Sequence, residues 1–90
     1  MNRYENNVLE RFEMRERIFR YLKEEWQIGY YPNLVKLKSA LHIFSVRDKH
    51  IFYEVLAYLE EYKIILTHRC EKGVERILPH PSLELNELVT

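Results

Sequence analysis

The sequence predicts an α+β fold that is mostly helical, three helices followed by a β-hairpin, and three observations carry that expectation. Apolar residues recur at helical spacing before Gly29 and again from Leu34 to Leu41. Ser45-Val46-Arg47-Asp48 has the Ser-x-x-acid form of a helix start, in which hydroxyl and carboxylate satisfy amide donors that the first turn leaves open. The β-branched, apolar run Ile64-Ile65-Leu66-Thr67-His68 is separated from Arg76-Ile77-Leu78 by Glu71-Lys72-Gly73, which reads as a hairpin turn.

The first helix is expected to start at Asn7, where Asn7-Val8-Leu9-Glu10 offers a cap with an acid three residues on, and to run to Gln27. At about 100° per residue, Val8, Phe12, Phe19, Leu22 and Trp26 share one stripe. Arg15 falls inside it, so either its stem lies along the core with the head in solvent, or the helix is interrupted near Met14. Gly29-Tyr30-Tyr31-Pro32-Asn33 stops this helix and starts the next, because Gly ends helices and the residue before Pro is pushed out of the α region. Leu34, Leu37 and Leu41 mark the second helix. The third runs from the Ser45 cap to Tyr62, with Phe52, Val55, Leu56 and Leu59 toward the core and Arg47, His50, Glu54 and Glu61 on the opposite side. Pro79 and Pro81 end the second strand, and Ser82 caps a last short helix carrying Leu83, Leu85, Leu88 and Val89.

Ninety residues make one domain, with a module over about 15–78, an N-terminal helical extension over 1–14 and a tail over 79–90. A chain of this length buries only about 60% of its unfolded surface, which leaves little room for an enclosed catalytic cavity, so no enzyme is expected. The 14 basic and 14 acidic side chains cancel, so affinity for nucleic acid must come from local charge placement. The single cysteine, Cys70, excludes an internal disulfide and suits a reducing compartment. No apolar stretch approaches the roughly 20 residues of a membrane span, and Met1-Asn2-Arg3-Tyr4-Glu5 is not a secretory signal, so a cytoplasmic protein is expected. His42, His50, His68, His80 and Cys70 lack a close ligand pair, so neither a metal nor another cofactor is expected. Ser45 and the histidines form no recognisable nucleophile arrangement, and no small-molecule substrate is evident.

This order of elements is that of a winged helix-turn-helix. Within that superfamily the stretch from about Arg15 to Leu78 resembles the DNA-binding domain of the LexA-type repressors. The matching residues are the helix ending before Gly29-Tyr30-Tyr31-Pro32, the helix through Leu37 and Leu41, and Leu56-Ala57-Tyr58-Leu59-Glu60-Glu61-Tyr62-Lys63-Ile64-Ile65, which is similar to the end of a winged-helix recognition helix. Two departures stand out. Lys63 occupies the place of the usual glycine, so the chain leaves the helix through a residue less at ease with positive φ, and His42 to Lys49 is about three residues longer than the family's tight turn. No protease half is expected. The resemblance implies double-stranded DNA as partner, with the third helix in the major groove and the hairpin on the backbone or minor groove.

Arg47 and His50 lie in the first turns of that helix, the part that reaches base edges in helix-turn-helix docking, and Arg47 is the first candidate for direct readout. Lys49 and either Lys36 or Lys38 are candidates for phosphate, and Ser45 joins them at the helix start. His68, Arg69, Lys72 and Arg76 make a second basic cluster on the hairpin, opposed by Glu71 and Glu75. The plain alternative is that all of these are solvated surface charges, and Glu54 and Glu61 support it, because carboxylates on a DNA-facing surface repel phosphate.

Val8, Leu9 and Phe12 before the module and Leu83, Leu85 and Leu88 after it exceed what the module needs, and suggest the interface of a homodimer. The expected function is a homodimeric DNA-binding transcriptional regulator. The alternative is a winged-helix protein-interaction module, replication-associated or a phage-like inhibitor, that does not read DNA sequence.

Overall fold

A computed structural model describes residues 3–69 and 75–83. The order is α1 (Arg3–Gln27), α2 (Leu34–Ala40), α3 (Val46–Glu61), β1 (Ile65–Arg69) and β2 (Glu75–Pro79), with the strands paired antiparallel. This is the expected α+β layout, three helices and a hairpin. The Glu71-Lys72-Gly73 turn, Cys70, and the helix expected beyond Leu83 lie outside the described residues.

All three helices close by one device. In the Schellman motif the two amides past a helix end reach back to carbonyls in its last turn, through a residue at positive φ. Gly29 (φ 82), His42 (φ 57) and Lys63 (φ 59) hold that position. Tyr30 N–H then donates to the Glu25 carbonyl, Ile43 N–H to that of Lys38 and Ile64 N–H to that of Leu59, each at 2.9 Å. The residue after each left-handed one is apolar. Ile43 is buried and Ile64 is packed on the core, so each closure also fixes where the chain turns inward. The helix starts are equally local. Asn33 Oδ1 accepts from Lys36 N–H at 2.7 Å to cap α2, and Ser45 Oγ accepts from Asp48 N–H at 3.0 Å to cap α3.

α1 departs from expectation in two respects. It begins at Arg3, so Asn7 lies inside the helix and is no cap. Its buried row is Met14, Ile18, Leu22 and Trp26, four residues apart, whereas Val8 and Phe12 are exposed and Phe19 is only half-buried, edge-on to Trp26. The stripe predicted from Val8 to Trp26 is correct only at Leu22 and Trp26. At 1.5 Å per residue α1 is about 37 Å long and α3 about 24 Å, so nothing in the module covers the whole of it. Arg15 does not interrupt the helix: it stays half-buried with its guanidinium 5.0 Å above the Phe12 ring.

The core is closed by Leu37, Ile43, Phe52, Val55, Leu56, Leu59, Ile65 and Ile77. Ile77 also pins the hairpin to the helices. Its N–H donates to the Pro32 carbonyl at 2.9 Å and its carbonyl accepts from Trp26 Nε1 at 3.0 Å, so the outer edge of β2 is satisfied by the end of α1 and the turn after it. Leu83, expected to face a second subunit, instead packs partly buried against this chain's own core. Ser82 Oγ donates to the Lys63 carbonyl at 3.2 Å, which ties the residues after β2 to the end of α3.

Candidate nucleic-acid interface

The outward face of α3 is divided by what lies on either side of it. On the α1 side Arg47 and Glu54 are both engaged across the two helices. Arg47 donates to Glu10 Oε1, a contact that, with the neighbouring Glu10 and Asp48 charges, pushes the guanidinium pKa still further up. Glu54 accepts from both Arg11 Nη2 and His50 Nε2, each at 2.9 Å. These contacts advance in one direction along both helices, from Glu10 and Arg47 to Arg11 and Glu54, and on to Phe19 and Leu59 at the edge of a shared hollow.

On the α2 side the cations are differently placed. Lys38 Nζ donates to the Tyr53 hydroxyl at 2.8 Å and lies 5.3 Å from the centre of that ring. Lys49 is exposed one turn before Tyr53, and Lys36 is exposed on α2. None of Lys36, Lys38 and Lys49 is in an ion pair among the described residues. Val46, at the very start of α3, is 85% exposed.

On the hairpin the basic residues are differently engaged. Arg76 Nη1 donates to the Tyr31 carbonyl at 3.3 Å, a contact that braces the hairpin against the turn before α2. His68 is exposed opposite Arg76, Arg69 sits opposite Glu75 in the register, and Lys72 lies outside the described residues. A hollow of about 400 Å³ between α2, α3 and the hairpin has Glu60 and Glu75 in its lining, with Thr67 donating to Glu60. Phosphate would be repelled there.

The structure thus separates the predicted site residues. Lys36 and Lys49 are exposed on the α2 side, His50 is engaged by Glu54 on the α1 side, Ser45 is engaged as a cap, Arg47 and Arg76 are engaged by other parts of the fold, Arg69 is placed only by its register opposite Glu75, and Lys72 lies outside the described residues. Sequence reasoning missed the Lys38–Tyr53 pair. A Tyr four residues after Lys49, opposite a helix with two lysines, was its only signal. It also missed the Glu10–Arg47 pairing, which has no local signature because the two are 37 residues apart, and the His50–Glu54 pair, whose i,i+4 spacing was a signal.

A larger open groove, about 520 Å³, runs between the N-terminal half of α1 and α3, with Val8, Phe12, Val55 and Tyr58 as its apolar lining. Among the described residues no group of three or more His, Cys, Asp or Glu is placed to hold a metal, and no helix is long and apolar enough to cross a membrane. Element order and hairpin together give the layout of a winged helix. No protein-family model, curated protein or solved structure matches the chain.

Proposed function

We propose that this chain is a winged-helix DNA-binding protein of the regulator type, which docks the N-terminal half of α3 in the major groove. The observation that carries the reading is the open face formed by Lys36, Lys38, Lys49 and Tyr53, where cations without carboxylate partners flank an exposed helix start. Such a surface meets phosphates on both sides of the groove while Val46 faces base edges. The proposal moves the weight of recognition from Arg47 and the hairpin to Lys49 and α2. Few phosphates are engaged per subunit, which accords with zero net charge.

The test is fluorescence anisotropy with random duplex DNA over a range of salt. Log affinity is expected to fall linearly with log salt, at about −0.9 per phosphate neutralised, and Lys36→Ala and Lys49→Ala are each expected to flatten that slope by about 0.9. Both side chains are exposed, so the fold is unaffected. An unchanged slope in both variants overturns the assignment of this face.

The acids at Glu60 and Glu75 and the apolar groove beside α1 favour a second reading, a winged helix used to bind another protein. Absence of DNA binding at tens of micromolar protein in low salt would select it.

A further inference from the structure

Val46 opens α3 and is the most exposed large apolar side chain among the described residues, more so than Val35 on α2 or Phe44 in the turn before it. Packing does not explain a valine there. Val46, Lys49 and Tyr53 fall at i, i+3 and i+7, so they share one face of α3, the side on which Lys38 reaches the Tyr53 hydroxyl. The core residues Phe52, Val55, Leu56 and Leu59 lie on another side of the helix.

Hydrogen-bonding groups that could read a base are scarce around this valine. Ser45 Oγ accepts from Asp48 N–H as the cap, Arg47 donates to Glu10, and His50 is held by Glu54. The first two carboxylates of α3, Asp48 and Glu54, both line hollows on the α1 side, where neither meets a base from the open side. What remains on the open side is an isopropyl group and the ammonium donors of Lys36, Lys38 and Lys49.

In the major groove one feature of a base edge suits an apolar side chain, the C5 methyl of thymine. Its neighbour is the thymine O4, which accepts hydrogen bonds, and lysines supply donors only. 5-Methylcytosine carries the same methyl beside an amine that donates, so it suits this side less well.

We infer that Val46 reads thymine C5 methyl groups, and that the partner is duplex DNA with thymine where the start of α3 enters the major groove. The inference rests on the DNA reading above and adds its base chemistry, which is apolar contact at Val46 with Lys36 and Lys49 as sequence-independent anchors.

The test is fluorescence anisotropy at low salt with two synthetic duplexes, alternating adenine–thymine and alternating adenine–uracil, whose bases differ by the C5 methyl alone. The unaltered chain is expected to bind the uracil duplex more weakly, by about fourfold for each methyl it covers, the effect of one apolar carbon taken out of water. Val46→Ala should weaken binding to the thymine duplex and bind the two alike, while Lys49→Ala should lose affinity on both and keep their ratio. Both side chains are exposed, so neither variant disturbs the core. A second pair, alternating guanine–cytosine with and without 5-methylcytosine, is expected to bind alike. Thymine and uracil duplexes bound alike by the unaltered chain, with the salt dependence intact, overturn the inference and leave the DNA reading standing. A Val46→Ala chain that keeps the full thymine preference overturns it too, and a gain from 5-methylcytosine equal to the loss from uracil overturns the assignment to thymine. No binding to any of these duplexes removes the DNA reading and the inference with it.

Discussion

The two halves of α1 are one continuous helix with opposite fates. From Ile18 to Trp26 it is a core element: Ile18 and Leu22 are fully enclosed and Trp26 reaches β2 through its indole N–H. From Val8 to Arg15 most of its side chains are exposed, Met14 excepted, and its contacts with α3 are ion pairs at Arg47 and Glu54 and a groove that stands open. The difference teaches that the shorter partners of α1 decide which part of it carries stability. The end they do not cover leaves Val8, Leu9 and Phe12 exposed.

The sharpest way to break this comparison is truncation at matched positions. Leu22→Ala is expected to cost about 2–5 kcal/mol in denaturant titrations, as lost apolar burial plus a cavity. Phe12→Ala is expected to cost under about 0.5 kcal/mol, because the ring is already half in water. Comparable losses would mean that the N-terminal half is as much part of the core as the other.

A smaller effect, of opposite sign, is expected at the helix ends. Lys63 holds a left-handed conformation that favours glycine, so Lys63→Gly should stabilise the chain by about 0.5–1 kcal/mol, read as a higher denaturation midpoint with unchanged slope. A loss instead would mean that the lysine stem contributes packing that outweighs its backbone strain.

The smallest effect is expected from the ion pairs. Glu10→Gln removes the partner of Arg47, yet both groups are near the surface, so stability should change by less than about 0.5 kcal/mol and less still at high salt. A loss above about 1 kcal/mol, the upper end for exposed pairs, would place Glu10 among the elements that hold α1 against α3.

The legible parts of the fold were those written in neighbouring residues. Ser45 caps α3, Asn33 starts α2, Gly29 ends α1, Lys63 takes a positive φ, and Phe52, Val55, Leu56 and Leu59 face inward as their spacing requires. The candidate site was legible only as a set of basic residues around α3. Which of them are open and which are engaged did not follow, since Arg47 is matched by Glu10 and Arg76 by the Tyr31 carbonyl, both distant in sequence.

By itself the sequence determined the type and order of the described elements and their ends except the start of α1, because caps, closures and the apolar face of α3 depend on interactions within about four residues. Only the tertiary structure decided that Met14 and Ile18, not Val8 and Phe12, complete the core, and that Lys49 stands open while Arg47 is held. Helical spacing fixes which side chains share a direction. Whether anything lies in that direction is set by the lengths and crossing of α1 and α3, which no local pattern encodes.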